Sequence, residues 1–199
     1  MKSTAFASLL LSAASAQAAL VFNVIEAGGN VIIDTTGGTI NTTALVPNGS
    51  VSLASLVAPN IAFFTAGGDA PVDFYAGTTG PTTYGTGNGR VPSSTVGTLV
   101  GALGGSTEII VPAGYASGFP IAAASSTYIG QTFASLGMTP GSYVWTWGVG
   151  PSADSVTLNV GPLAVAIPEP STYIAIAGIL GLGAFVAIRR RKRQRAVGS

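Results

Sequence analysis

Three aromatic residues, Tyr143, Trp145 and Trp147, alternate with Val144 and Thr146 in the last third of the chain. Residues two apart in a β-strand lie on the same face, so the three rings would share one side of the strand. Exposed aromatic rings can stack on sugar rings, which makes carbohydrate contact one interpretation of this pattern. Large aromatic residues are more often buried, and we therefore favour packing in the core or at a sheet edge.

The side chains that most enzymes use for catalysis are missing from this sequence. The chain has no histidine and no cysteine, and no lysine occurs between Lys2 and Lys192. A serine–histidine triad, histidine or cysteine metal ligands, a disulfide and lysine Schiff-base chemistry in that region are thereby excluded. Carboxylates alone can hydrolyse glycosides, but the acidic residues here are few and scattered. We predict a protein without catalytic function, cofactor or metal.

Three shorter patterns have ordinary explanations. Asp69 and Asp73 could offer oxygen ligands to calcium, but no calcium-loop motif surrounds them, so solvated loop acids are expected. Residues 85–89 have the glycine content of a phosphate loop without its Lys-Ser/Thr, which favours a flexible surface loop beside Arg90. Residues 41–43 match the glycosylation pattern and predict an exposed turn.

Residues 19–166 amount to a single domain and read as all-β, in a β-sandwich-like arrangement. Short apolar runs are broken by Gly, Pro, Asn, Ser and Thr, and no stretch has a convincing helical period. Residues 128–136 fit either a strand or a helical turn. The predicted strands are 20–25, 31–33, 40–46, 51–57, 61–65, 72–75, 96–100, 108–111, 121–127, 143–147 and 155–160.

The last two predicted strands have the clearest pattern. Residues 139–142 read Thr-Pro-Gly-Ser, a turn sequence, directly before the aromatic strand. Val156, Leu158 and Val160 alternate with polar residues in the strand that follows. We expect these two strands to pair or lie close together, each with one apolar face, before a short linker at 161–166.

The charge of the chain divides sharply between its ends and its middle. Residues 19–170 hold one basic residue, Arg90, against seven acidic ones, which leaves a net charge of −6. Nucleic acids and anionic lipids require clustered Lys and Arg, so they are not expected partners of this region. The acidic residues are Glu26, Asp34, Asp69, Asp73, Glu108, Asp154 and Glu169.

The first 18 residues have the three parts of a secretory signal peptide. Lys2 provides the positive start, residues 5–14 a short apolar stretch, and Ala16-Gln17-Ala18 a small-x-small cleavage site. We predict removal by signal peptidase after Ala18, and export of the residues that follow.

The C-terminal segment, residues 167–199, also has three parts. Pro168-Glu169-Pro170 precedes residues 172–188, which carry no charge and would span about 25 Å as a helix. That length is near the short limit for a bilayer, and the basic residues beside it follow the positive-inside rule. We predict one transmembrane helix with a cytoplasmic membrane stop formed by Arg189, Arg190, Arg191, Lys192, Arg193 and Arg195.

This order of motif, span and basic end resembles the PEP-CTERM sorting signal of Gram-negative bacteria. Ile167 stands where valine is common in that family, and Ser171-Thr172 fits the usual pattern. The resemblance implies recognition by exosortase, a membrane-embedded cysteine transpeptidase-like enzyme that cleaves near the motif and passes the protein toward the cell surface. It also implies an association with exopolysaccharide and biofilm matrix. Residues 139–154 and 114–118 are similar to exported regions of other such proteins, without a chemistry attached.

These features together predict an exported, non-catalytic protein with a structural or adhesive role at the cell surface or in the extracellular matrix. Its expected partners are signal peptidase, exosortase, the inner membrane as a transient anchor, and exopolysaccharide. Two alternatives stay open. One is a carbohydrate-binding module that uses the face of Tyr143, Trp145 and Trp147, and the other is a plain single-pass, membrane-anchored periplasmic protein.

Overall fold

The computed structural model describes residues 20–161, and these fold almost entirely into β-strands. Helical structure within this range is limited to two short 3-10 turns, Pro59–Ile61 and Gly150–Ser152. No helix within the range is long and apolar enough to cross a membrane. The all-β prediction is confirmed for this part of the chain. The strands are β1 (Leu20–Ala27), β2 (Asn30–Thr35), β3 (Gly38–Thr39), β4 (Val46–Leu53), β5 (Val57–Ala58), β6 (Phe63–Ala66), β7 (Ala70–Ala76), β8 (Ser94–Val96), β9 (Val100–Leu103), β10 (Glu108–Pro112), β11 (Pro120–Ile121), β12 (Ala124–Ile129), β13 (Gly141–Trp147) and β14 (Asp154–Val160).

Two six-stranded sheets make up most of the domain. The first sheet has the order β13-β14-β1-β2-β12-β8, and the second has the order β4-β7-β10-β9-β6-β5. Neighbouring strands are antiparallel except β1 and β14, which run parallel. A two-stranded ladder of β3 and β11 stands apart from both. Parallel pairing of β1 with β14 places the first and last strands of the described chain next to each other inside the first sheet.

Local sequence explains the hairpins at the start and end of the domain. Gly28 and Gly29 both have positive φ, +59° and +76°, which lets the chain reverse in two residues between β1 and β2. At the other end β13 and β14 pair antiparallel over their full lengths, with Tyr143 opposite Leu158 and Trp145 opposite Val156. The predicted pairing of these strands is confirmed.

The core lies between the inner faces of the two sheets. Burial alternates along β1, β2, β12 and β14, as expected for strands with one covered face. Phe22 on β1 meets Phe64 on β6 edge to face, with ring centroids 4.9 Å apart. Phe64 in turn lies 5.4 Å from Trp145 on β13, so three aromatic rings join the sheets.

The second sheet is buried on both faces at β10, β9 and β6, whereas its edge strand β4 is exposed along nearly its whole length. All four residues of β6 and the first four of β10 are buried, so apolar side chains fill both faces. Ile109 and Val111 belong to the core between the sheets, whereas Ile110 belongs to a second, smaller cluster with Phe63 and Leu99. This explains why these strands read as continuous apolar runs instead of alternating ones.

Several predicted strand boundaries are wrong, for related reasons. Residues 40–46 were expected to be a strand, but β3 ends at Thr39 and the chain turns before β4, with Leu45 N–H donating to Thr42. The predicted strands 51–57, 96–100 and 121–127 each span parts of two separate strands: β4 and β5, β8 and β9, and β11 and β12. Residues 128–136 finish β12 at Ile129 and then form turns. Isolated buried residues such as Ile40 and Leu45 gave these segments strand-like apolarity.

Candidate functional site

The aromatic residues of β13 do share one side of the strand, and that side faces inward. Trp145 is fully buried and Trp147 is 5% exposed, whereas Tyr143 is partly buried. Tyr143 packs its ring 5.6 Å from that of Tyr84 and donates its hydroxyl to Thr139 O at 2.9 Å. Carbohydrate contact would need an open aromatic face, which the two tryptophans do not offer. The favoured expectation of core packing agrees with their placement.

Trp147 closes one end of the sandwich through its indole N–H. Its Nε1 donates to Asn41 O at 2.7 Å, across 106 residues of sequence. Asn41 N–H in turn donates to Asp154 Oδ2 at 2.7 Å. The backbone N–H and C=O of Asn41 are thus both bonded to side chains of the strand pair β13–β14, in which Trp147 and Asp154 lie directly opposite each other. These two bonds hold the irregular connection between β3 and β4 in place.

Asp154 is a buried carboxylate with 7% of its surface exposed. Burial raises the pKa of this carboxyl group, and backbone N–H donors from Asn41 and Ser155 oppose that shift by stabilising the ionised form. Burial raises the pKa of the Tyr115 hydroxyl, and the nearby charge of Asp154 raises it further. The carboxylate is therefore a structural acceptor for two backbone amides.

The loop after β10 reaches the same connection from its other side. Tyr115 Oη accepts the N–H of Ile40 at 2.9 Å and lies 2.7 Å from Phe119 O, to which it can donate. Ser117 Oγ accepts the N–H of Thr42 at 2.9 Å. Residues 40–42 are thus held on one side by Tyr115 and Ser117 and on the other by Trp147 and Asp154. We call these four side chains together with Asn41 the Asn41 cluster.

The Asn41 cluster joins the loop after β10 to the strand pair β13–β14. Most of its hydrogen bonds are made to backbone groups, and Ser117 Oγ also donates to Asn41 Oδ1 at 3.2 Å. Tyr115 in addition lines an open depression of about 380 Å³ that is formed largely by residues 112–116 and 119–122. Sequence reasoning missed Asn41, which was expected in an exposed turn. The best available signal was its position between two apolar residues, Ile40 and Leu45, that are both buried.

The two aspartates considered for calcium binding accept hydrogen bonds from different parts of the chain. Asp69 Oδ1 accepts the N–H of Ser55 at 2.9 Å. Asp73 accepts from Ser50 Oγ at 2.5 Å and from the N–H of Gly114 at 2.7 Å. Within residues 20–161 no group of three or more acidic side chains converges as a metal site. Asp69 joins two loops, whereas Asp73 lies on β7 instead of in a loop and links that strand to Ser50 on β4 and to the turn at Gly114.

The glycine-rich segment 85–89 is packed against residues 134–137 and is not a free loop. Thr86 and Gly87 donate their N–H groups to Gly137 O at 2.9 and 3.2 Å. A Cβ atom on Gly87 would overlap Leu136 O, so only glycine permits this approach of two backbones. The segment is a surface loop as predicted, but the prediction that it is flexible is wrong, because these hydrogen bonds fix its backbone.

Every predicted terminal site lies outside the described residues. These are the signal cleavage residues Ala16 and Ala18, the motif Pro168-Glu169-Pro170, the span 172–188 and the basic residues that follow it. Their assignments stand on sequence alone.

Comparison with protein families identifies the C-terminal segment. Residues 166–192 match the family described as the PEP-CTERM protein-sorting motif. The chain therefore carries this motif, which implies an exosortase as its processing partner and secretion to the cell surface. No curated protein and no solved structure matches the chain. The match covers the tail and says nothing about residues 20–161.

Proposed function

We propose that the chain is the precursor of a non-catalytic surface protein, in which residues 20–161 are the exported cargo and residues 167–199 are removed during sorting. The observation that carries this proposal is the sorting-motif match at 166–192, which contains Pro168, Glu169 and Pro170. The signal peptide at 1–18 and the span at 172–188 would hold both ends at the inner membrane before processing.

The physical properties of the tail suit temporary anchoring. An uncharged stretch of about 25 Å interrupted by glycines is a weaker anchor than a typical span of about 20 residues. The basic residues from Arg189 onward would keep the end in the cytoplasm and leave the motif at the outer boundary of the membrane. The two prolines disfavour helix there and hold the backbone extended, a form that a processing enzyme can bind.

A structural or adhesive role for the cargo is supported by how the described domain uses its polar groups. The Asn41 cluster, Asp69 and Asp73 all stabilise connections between strands. The domain contains no cysteine and therefore folds without a disulfide, and threonine, serine and asparagine are common among its exposed residues. Interaction with exopolysaccharide would be made by a surface other than the buried tryptophan face.

Mass spectrometry of the surface form tests the sorting proposal. In a host with exosortase, the mature protein should end near residues 167–171 and lack all peptides from Tyr173 onward. Replacing Pro168, Glu169 and Pro170 together by alanine should leave the full-length form in the inner membrane. Pro162→Ala, in the preceding linker, is the matched control and should be processed normally.

Persistence of the basic tail on the mature protein in that host would contradict the proposal and favour a plain single-pass anchored protein. The adhesive role needs a separate test, in which surface attachment is compared between a strain that carries the gene and one that lacks it. Equal attachment by both strains would remove that part of the proposal while leaving the sorting result intact.

A further inference from the structure

Arg90 is the basic residue that the described domain retains, and it lines an open depression. The depression has a volume of about 290 Å³ and is formed by residues 86–90 and 134–137. Arg90 N–H and C=O bond to Val57 at 2.8 and 2.9 Å, so the backbone that carries the side chain is fixed in place. Within residues 20–161 the guanidinium has no carboxylate partner and no hydrogen-bond acceptor, so its donors are available to a ligand.

Hydrogen-bond donors predominate around this depression. Asn88 Oδ1 accepts from Asn60 Nδ2 at 3.1 Å, which fixes the amide so that its own Nδ2 donors are left for another group. Thr86 adds a hydroxyl group to the same lining, whereas the Ser135 hydroxyl is already bonded to Gln131 and Thr132. A concave site that combines a guanidinium, an amide and one hydroxyl as donors, with no acidic residue in its lining, fits an anionic acceptor.

The walls of the depression are rigid for a physical reason. Gly137 O accepts two N–H groups, from Thr86 and Gly87, and the two loops touch backbone to backbone. Preorganised loops lose little conformational entropy when a ligand binds. The backbone of the glycine-rich segment is therefore held in place, and Asn88 and Arg90 line the depression from this fixed backbone.

We propose that the Arg90 depression is a binding site for a carboxylate group, offered by an acidic sugar or by an acidic amino-acid side chain. The planar guanidinium matches both oxygens of a carboxylate through two parallel hydrogen bonds. The net charge of −6 over residues 19–170 gives no general attraction for anions, so binding must come from these short-range contacts. The volume suits one such group with its nearest atoms. This site is independent of the proposed sorting function, since sorting is read from the C-terminal segment.

Titration of the isotopically labelled full chain in detergent, followed by NMR, tests the site. The amides of Gly87, Gly89 and Gly137 are the reporters. Sodium glucuronate offers the acidic sugar, N-acetylglutamate the acidic side chain, and glucose the matched neutral sugar. We expect saturable shifts with at least one of the two carboxylates and none with glucose. Saturation by glucuronate alone identifies a sugar, by N-acetylglutamate alone an acidic side chain, and by both the carboxylate itself.

Variants at one position decide whether the arginine is responsible. Arg90→Gln should weaken carboxylate binding by about tenfold or more, because it removes a charged hydrogen-bonding partner. Arg90→Lys, which keeps the charge but loses the planar pair of donors, should bind with intermediate affinity. Val96→Glu, at a position 72% exposed, changes the net charge by the same amount as Arg90→Gln and should bind like the wild type.

Four results would overturn the proposal: no saturable shift with either carboxylate, equal shifts with glucose, wild-type affinity in Arg90→Gln, or an equal loss in Val96→Glu. Unchanged amide shifts elsewhere in the spectrum establish that each variant is folded. Failure of this experiment would leave the C-terminal processing result untouched, so the two proposals fall separately.

Discussion

Trp145 and Trp147 lie two residues apart on the same face of β13, yet they hold different regions of the molecule in different ways. Trp145 sits in the middle of the core against Phe64, and its indole N–H is buried without a hydrogen-bond partner among the described residues. Trp147 sits at the end of the sandwich, and its indole N–H donates to Asn41 O at 2.7 Å.

The same contrast holds for their surroundings. In the core the hydroxyl of Tyr128 is also buried without a partner, whereas at the end of the sandwich Asp154 and Ser117 are hydrogen-bonded to backbone. Around Trp145 the domain is therefore held mainly by apolar packing, although some interior polar groups such as Ser55 and Ser126 are hydrogen-bonded, whereas the end is held by hydrogen bonds to an irregular connection. Substitutions that remove side-chain volume should therefore destabilise the middle of the domain most, and substitutions that remove hydrogen bonds should act mainly at its end.

The largest effect is expected for Trp145→Ala. Removing a fully buried indole that bridges the sheets should lower the free energy of unfolding by about 3–5 kcal/mol. Equilibrium unfolding in urea measures this loss. Val144→Ala, on the adjacent position with 41% of its side chain exposed, is the control and should change stability by about 0.5 kcal/mol or less. Similar losses for both variants would contradict the placement of Trp145 in the core.

At the end of the sandwich, Asp154→Ala should cost about 1–3 kcal/mol, because it leaves the N–H groups of Asn41 and Ser155 without their acceptor. Hydrogen exchange of the Asn41 amide should accelerate more than that of core amides such as Ile33. Asp69→Ala removes one bond to Ser55 at a different loop and serves as the matched control. Equal acceleration of amide exchange over the whole domain would show that the Asn41 cluster does not stabilise this end of the sandwich locally.

The regions also differ in how far the sequence predicted them. The β13–β14 pair was predicted because turn residues and alternating apolar residues lie close together in the chain. Parallel pairing of β1 with β14 was not predicted, since it joins strands from opposite ends of the domain and leaves no local pattern. The long-range contacts of the connection at 40–45 were missed for the same reason. The conformation of this connection is set by Asp154 and Ser117, which lie 113 and 75 residues from their partners.

The aromatic face shows a second limit. Alternation of Tyr143, Trp145 and Trp147 correctly placed the rings on one side of a strand, but periodicity alone does not say which side is covered. Burial of both tryptophans depends on β6 and on residues near Gly80 and Asn41, all distant in sequence. The sorting motif, in contrast, is recognised from sequence alone, because its three parts are contiguous in the chain. The family comparison found it at residues 166–192.

A pair of tyrosines sharpens the comparison within the core itself. Tyr84 donates its hydroxyl to Phe63 O, whereas the hydroxyl of Tyr128 has no partner among the described residues, and burial raises the pKa of both groups. Tyr84→Phe should therefore cost about 1 kcal/mol, and Tyr128→Phe should be neutral or slightly stabilising. Thermal unfolding of the two variants checks this difference. A larger loss for Tyr128→Phe than for Tyr84→Phe would show that the unpaired hydroxyl has a partner.

The smallest effect is expected at Asp34, a partly buried residue on the outer face of the first sheet, opposite Asn23 and Ser125. Its Oδ1 has no hydrogen-bond partner among the described residues, and burial raises the pKa of the carboxyl above its ordinary value of 3.8. Because the folded protein holds this proton more tightly than the unfolded chain, stability is full below pH 3.8. It falls as the pH rises from 3.8 through the raised pKa of the folded state.

Asp34→Asn removes this titration, so the variant should gain stability relative to the wild type between pH 3 and pH 7. The gain should be of order 0.5 kcal/mol or less, since the site is partly exposed. The measurement is the difference in free energy of unfolding between the two proteins across that range, in which the shared contribution of Asp154 cancels. A constant difference would show that the Asp34 carboxylate is as well solvated in the folded protein as in the unfolded chain.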